Sequence, residues 1–188
     1  MRGLFLLAFM LGYALPSFAG IIDGRVRNSF IGGIAVVPRV GVFIPSDTRV
    51  DPAIAAGGEA RIQLYSIDEG LSVAAGLMYM APSRPGSAQV VVVPMDLNVV
   101  YEVFVEGMST ELFISGGVGL YSWSASSHGR DDAGASFGFQ AGIGVEPLIG
   151  PGNLLGFIGY SLASAQHPSL GSIDLGGFAI EIGYRIIF

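Results

Sequence analysis

The chain has 188 residues, of which 29 are glycine, and carries a net charge of −6 with only 13% charged residues. All nine basic residues are Arg, and they form no cluster, which excludes a nucleic-acid footprint and a basic helix that binds anionic lipid. Cysteine is absent, so neither a disulfide framework nor a thiol site is expected.

The amino terminus opens with Arg2, an apolar run over 4–15 and the sequence Pro16-Ser17-Phe18-Ala19. That arrangement predicts a secretory signal peptide over 1–19, cut after Ala19, since the run is short for a membrane span and Ser17 and Ala19 suit a cleavage site. A retained helical anchor is the alternative. Residues 20–33 are expected to be a lead-in on the periplasmic side, with a segment tucked into the lumen as the alternative, and 34–188 are expected to be one domain. No later apolar window reads as a membrane helix, because Pro38, Pro94 with Asp96, and Gly150-Pro151-Gly152 interrupt the candidates.

From residue 34 onward, alternation with period two recurs in about eight stretches separated by turn-rich segments. The first, 34–44, sets Val36, Pro38, Val40, Val42 and Ile44 against Arg39, Gly41 and Phe43. The second, 57–67, sets Ala60, Ile62 and Leu64 against Glu59, Arg61, Gln63 and Tyr65. In the third, 71–80, Leu71, Val73, Ala75, Leu77 and Tyr79 oppose Ser72, Ala74, Gly76 and Met78. The fourth, 90–103, points Met95, Leu97, Val99 and Tyr101 one way and Asp96, Asn98 and Glu102 the other. The fifth, 112–123, opposes Ile114, Val118 and Leu120 to Ser115, Gly117, Gly119 and Tyr121. The sixth, 136–146, opposes Phe137, Phe139, Ala141, Ile143 and Val145 to Gly138, Gln140, Gly142, Gly144 and Glu146. The seventh, about 154–163, alternates poorly and its facing stays open. The last, 178–188, has Phe178, Ile180, Ile182, Tyr184, Ile186 and Phe188 on one face and Ala179, Glu181, Gly183 and Arg185 on the other.

A continuous apolar face opposite small and charged residues suits a strand with lipid outside and a polar lumen inside. The fold class expected is all-β, an eight-stranded antiparallel up-and-down transmembrane barrel. A soluble barrel or sandwich with the apolar face inward is the alternative. Links after the even stretches (68–70, around 106–108, and 148–153) are expected to be periplasmic turns. The generally longer links at 45–53, 81–88, 124–135 and 164–172 are expected to be extracellular loops, with Arg49, Arg84, His128, Arg130 and Asp132 exposed on them.

The strand from Val92 to Tyr101, the run Phe113-Ile114-Ser115-Gly116-Gly117-Val118-Gly119-Leu120-Tyr121 and the terminal Gly176 to Phe188 together resemble the small outer-membrane β-barrel family of the OmpA-domain and OmpX type. The resemblance implies residence in the outer membrane of a Gram-negative bacterium, among its lipid and lipopolysaccharide. It also implies that the terminal aromatics, Tyr184 and Phe188, form a signal read by the outer-membrane assembly machinery. The peptidoglycan-binding function of larger relatives is not expected. No extracellular partner is legible.

An Arg on the lipid face near midplane costs about 2–4 kcal/mol, so Arg39, Arg61 and Arg185 are expected inside, with Glu59, Asp96, Glu102, Glu146 and Glu181. Strand direction puts Arg39, Arg61, Asp96 and Glu181 near the middle and Arg185, Glu102 and Glu146 nearer the periplasmic rim. These eight residues are expected to form an ion-pair network filling a lumen only wide enough for side chains. A gate whose pairs rearrange to admit ions or small solutes is the alternative.

The glycines at 116, 117, 119, 138, 142 and 144 have strand spacing with no helix after them, so they make room for Tyr121 and Phe side chains rather than a nucleotide loop. His128 with Asp131 and Asp132 matches no metal-site spacing, and no metal or cofactor is expected. His167-Pro168-Ser169 with the later Glu181 is similar to the catalytic pattern of the outer-membrane lipid A 3-O-deacylases. Two features oppose that reading: Glu181 has lumen-facing parity, and Pro168 places His167 in a loop. A non-enzymatic role in structure and surface interaction is therefore expected.

Overall fold

The computed structural model describes residues 33–64, 67–82, 88–104, 110–127, 130–167 and 171–188, with the backbone alone at 88, 89, 104, 127, 130, 131 and 167. The expected signal peptide and nearly all of the lead-in lie outside the described residues, as do Arg84, His128, Pro168 and Ser169.

Among the described residues nine strands follow one another: β1 (Ile34–Pro45), β2 (Ala53–Gln63), β3 (Leu71–Pro82), β4 (Ala88–Phe104), β5 (Thr110–Ser127), β6 (Arg130–Ile149), β7 (Gly152–His167), β8 (Gly171–Asp174) and β9 (Gly177–Ile187). Every pairing is antiparallel. Each strand from β1 to β7 pairs with its sequence neighbour, and β9 pairs with both β7 and β1, which closes the wall. The barrel therefore has eight staves. Among the described residues β8 pairs with β7 alone, from Ser164↔Asp174 to His167↔Gly171, and continues β9 outward beyond Leu175 and Gly176. Closure satisfies the backbone groups that a membrane's hydrocarbon would leave unpaired.

Three ladders each skip a step beside a proline. The β1–β9 register breaks at Val37 and Pro38, β3–β4 breaks opposite Pro94, and β6–β7 breaks at Pro147. Proline has no N–H to donate, so one side of its strand loses a bond while the other side keeps its partner: Gly58, Tyr121 and Thr110 respectively.

The apolar faces point outward. Ile182 is 62% exposed, and Val40, Ile54, Leu77, Leu97, Ile114, Phe139 and Ile158 are likewise exposed. The open seventh stretch is settled: Leu154, Ile158 and Leu162 face out, while Leu155, Ser161 and Ala163 are buried within. The interior has two apolar zones. One, toward the end where β1 begins and β9 ends, contains Val37, Ala74, Val100, Phe113 and Leu155, with Phe157 against them. The other fills the opposite half with Phe43, Ala53, Ala55, Met78, Met80, Val90, Val92, Tyr121, Trp123, Ala125, Ala163, Ala165, Ile173 and Leu175.

Two expected loops are corrected. Within 124–135, β5 runs to Ser127 and β6 starts at Arg130, with Ser127 paired to Arg130. Within 164–172, β7 runs to His167, which pairs with Gly171, so His167 ends a strand and is not in a loop. Both segments are rich in Ser, Ala and Gly, which resemble loop composition yet sustain a ladder once a hairpin partner is adjacent. At the opposite rim the 148–153 link shrinks to a turn at Gly150 and Pro151, where Gly150 takes φ 67°. That left-handed backbone favours glycine.

Candidate functional site: a charged layer across the bore

Inward parity brings charged side chains from five staves into two connected levels of the lumen, with Glu111 joining from a sixth. Arg39 (β1) reaches Glu59 (β2) through Nη2 at 3.1 Å and Glu181 (β9) through Nη1 at 3.1 Å. Arg61 (β2) bonds Glu59 Oε1 through Nη2 at 2.7 Å, and its Nη1 donates to Glu102 (β4) and Glu146 (β6), each at 2.9 Å. Arg185 (β9) donates from Nη1 to Glu102 at 2.6 Å and from Nη2 to Glu111 (β5) at 2.6 Å, and lies 2.9 Å from Glu146 Oε2. Asp96 (β4) joins no ion pair among the described residues. Its Oδ1 accepts from Asn98 at 2.5 Å, and Asn98 in turn accepts from Gln140 Nε2 at 2.8 Å.

The structure thus places all eight expected lumen residues inside, seven of them in contacts and Asp96 in a separate amide chain. Arg61 departs from its expected depth: it couples the middle layer, through Glu59, to the layer of Glu102 and Glu146 nearer the terminal rim. Glu111 lies one residue before the fifth stretch as the alternation delimits it, from Leu112, and so falls outside the expected lumen set. Its parity with Phe113, which is buried, carried the signal. Arg49 is not a free loop cation. It bonds Asp47 Oδ2 at 2.6 Å and the Ser172 carbonyl at 2.5 Å. Asp132 accepts from the Ala133 N–H at 2.9 Å.

An aromatic pair reinforces the layer. Phe113 and Phe157 stack with centroids 6.0 Å apart and planes within 3°. Arg61 lies 5.3 Å over the Phe113 ring and Arg39 5.7 Å over Phe157. Guanidiniums on ring faces gain cation–π attraction while keeping their carboxylates. Space for the rings comes from glycine. A Cβ on Gly142 or Gly159 would strike Phe157, and one on Gly144 would strike Phe113. This accounts for glycines 142 and 144 by close approach.

Oxygens of Glu102, Glu111 and Glu146 lie within 4.8 Å of one another, a spacing suited to a metal ion. Arg61 and Arg185 stand between those carboxylates and supply the positive charge themselves. Two small cavities flank the layer. One, of about 30 Å³, lies among Arg39, Asp96, Tyr121, Gln140, Ser161 and Glu181. The other, of about 10 Å³, lies at the terminal rim beside Gly33, Arg61, Gln63 and Arg185. Each has room for roughly one or two waters.

At the opposite rim, segment 46–52 folds onto β8. Ser46 N–H donates to the Gly176 carbonyl at 2.9 Å, and Asp47 Oδ2 accepts from Asp174 N–H at 3.4 Å. The bond from the Arg49 side chain holds the Asp47 carboxyl down at about 2, against an ordinary 3.8, with burial opposing. Val50 packs over the apolar half of the lumen. At the terminal rim Tyr184 hydroxyl donates to the Ile149 carbonyl at 2.8 Å, and Phe188 N–H to the Ile34 carbonyl at 2.9 Å.

No protein-family model matches the chain. No curated protein matches it either. Solved structures do. Neisserial surface protein A aligns at 13% identity over 85% of this chain and 98% of that one, with a TM-score of 0.66. The amino-terminal β-barrel domain of Pseudomonas aeruginosa OprF aligns at 9% identity over 83% and 97%, TM-score 0.58. A major outer membrane protein of Thermus thermophilus aligns at 12% identity over 83% and 98%, TM-score 0.56. The chain has the fold of the small eight-stranded bacterial outer-membrane barrels, OmpA- and OmpX-like, with an apolar outer wall and an interior packed with buried salt bridges.

Proposed function

We propose that this chain is an integral outer-membrane protein whose barrel is a sealed structural element, displaying the β5–β6 and β7–β8 hairpins at the cell surface. In this reading residues 1–19 direct export, 20–33 lie on the periplasmic side, and Tyr184 and Phe188 engage the assembly machinery. Lipid and lipopolysaccharide surround the outward faces.

The observation that carries the reading is the span of Arg61, which bonds Glu59, Glu102 and Glu146 and so ties β2, β4 and β6 together across the bore. A charge so enclosed is stable only with its partners in place, and removing one leaves an uncompensated ion. The layer therefore favours a fixed plug over a conducting path. A catalytic role draws no support from Glu181, which is 4% exposed, faces the lumen and pairs with Arg39 rather than facing the lipid.

Single-channel recording of the purified protein in planar bilayers tests the proposal. Protein that is closed by its shift in heat-modifiable gel mobility is expected to give no conductance steps. Reproducible steps from such protein would make it a pore and overturn the reading.

A further inference from the structure

Asp96 is 8% exposed, and among the described residues no guanidinium lies within 4 Å of it. It lines the cavity of about 30 Å³ together with Arg39, Tyr121, Gln140, Ser161 and Glu181. Two buried polar atoms of that wall have no partner among the described residues, the hydroxyl of Tyr121, which is 2% exposed, and Arg39 Nε, while Glu181 Oε2 is held by its ion pair with Arg39 at 3.1 Å. Buried polar atoms are nearly always satisfied, so the Tyr121 hydroxyl at the cavity, beside the unpaired Asp96, points to an occupant.

Charge identifies its sign. The wall contains two carboxylates, Asp96 and Glu181, and one guanidinium, Arg39, which also serves Glu59. A buried carboxylate without a counter-ion is strongly disfavoured. Water would satisfy the orphaned atoms and leave the charge standing. A divalent ion would demand more ligands than the cavity's size allows. The available donors are oxygens, as hard cations prefer.

We propose that the cavity binds one sodium-sized monovalent cation between the carboxylates of Asp96 and Glu181, with the Tyr121 hydroxyl as a neutral ligand. The apolar half of the lumen closes the site on one side and the Arg39 ion pairs close it on the other. The ion is therefore captured as the barrel closes, and it adds to the stability of the folded state by mass action.

The test refolds the full chain into detergent micelles near neutral pH, in sodium chloride or in N-methylglucamine chloride at equal ionic strength. After desalting, sodium is measured by atomic emission and the unfolding midpoint by heat-modifiable gel mobility. The expected result is roughly one retained sodium per chain and a higher midpoint in sodium. Asp96→Asn is expected to lose both, and Tyr121→Phe, which changes no charge, to lower sodium retention. Background sodium with equal midpoints would overturn the proposal, leaving protons or water in the cavity. Undiminished retention in Tyr121→Phe would overturn it even if Asp96→Asn did not fold. Barrel closure is read separately from the gel shift, so a cation-free yet closed barrel would leave the structural reading intact.

Discussion

Arg61 and Glu146 stand on diametrically opposed staves, β2 and β6, and the guanidinium donates to the carboxylate at 2.9 Å across the full width of the bore. Arg61→Ala leaves Glu59 with Arg39 alone, and leaves Arg185 as the one guanidinium shared by Glu102 and Glu146. The expected loss is about 3–5 kcal/mol in urea unfolding followed by gel mobility. Arg61→Met combined with Glu102→Gln and Glu146→Gln is expected to recover most of it, since the penalty lies in the abandoned charges. A loss below about 1 kcal/mol for the single variant would mean that the bond across the bore holds nothing together.

The Phe157 ring fills the space over Gly159, where an added Cβ would come within 2.6 Å of the ring. Gly159→Ala is expected to destabilise the barrel by about 1–3 kcal/mol through overpacking. Phe157→Ala alone is expected to cost about 3–5 kcal/mol. The double variant should cost no more than Phe157→Ala, because removing the ring removes the collision. A double-mutant cycle in urea checks the coupling, and strict additivity would refute it.

Ile182 is 62% exposed on the outer face of β9. Ile182→Arg is expected to cost about 2–4 kcal/mol in a lipid bilayer, with Ile182→Leu neutral. Equal stability of Ile182→Arg and wild type in vesicles would show that this face does not touch acyl chains.

Asp47 gives a pH dependence of known sign. The bond from Arg49 depresses its carboxyl from 3.8 to about 2, so the stabilisation is complete above 3.8 and disappears as pH falls through about 2. Segment 46–52 should stay docked on β8 from neutrality down to about pH 4 and loosen below it. Trp123, the single tryptophan, lies in the apolar cluster against which Val50 packs, so its fluorescence reports this docking. Asp47→Asn is expected to abolish the change in that window, and an unaltered acid transition in the variant would remove Asp47 from its cause.

The barrel was legible in the sequence where one face was small or charged. The contrast of Ile62 with Arg61 and of Ile182 with Glu181 fixed parity, because in a transmembrane barrel parity is the choice between two solvents. The reading ran out where the lumen itself is apolar. Leu155 and Phe157 point inward beside outward Leu154 and Ile158, so β7 shows no alternation in hydropathy. What admits Phe157 is the bare backbone of Gly142 and Gly159, a match between strands that no single strand displays. Ion-pair partners were equally hidden. Parity gathers Arg185 and Glu111 into the lumen, but their meeting at 2.6 Å depends on the stagger of the ladders.

The hydrocarbon half of the bore, from Phe43 to Leu175, has a consequence that electrostatics does not reach. Water leaves a narrow greasy passage spontaneously, so in the sealed-barrel reading proposed above this stretch would act as a second stopper in series with the ionic one. Stripping the guanidiniums would weaken the cylinder long before it made it leak. A perforated variant would need bulk removed at Tyr121, Trp123 and Met80 as well, two independent failures that single substitutions do not supply.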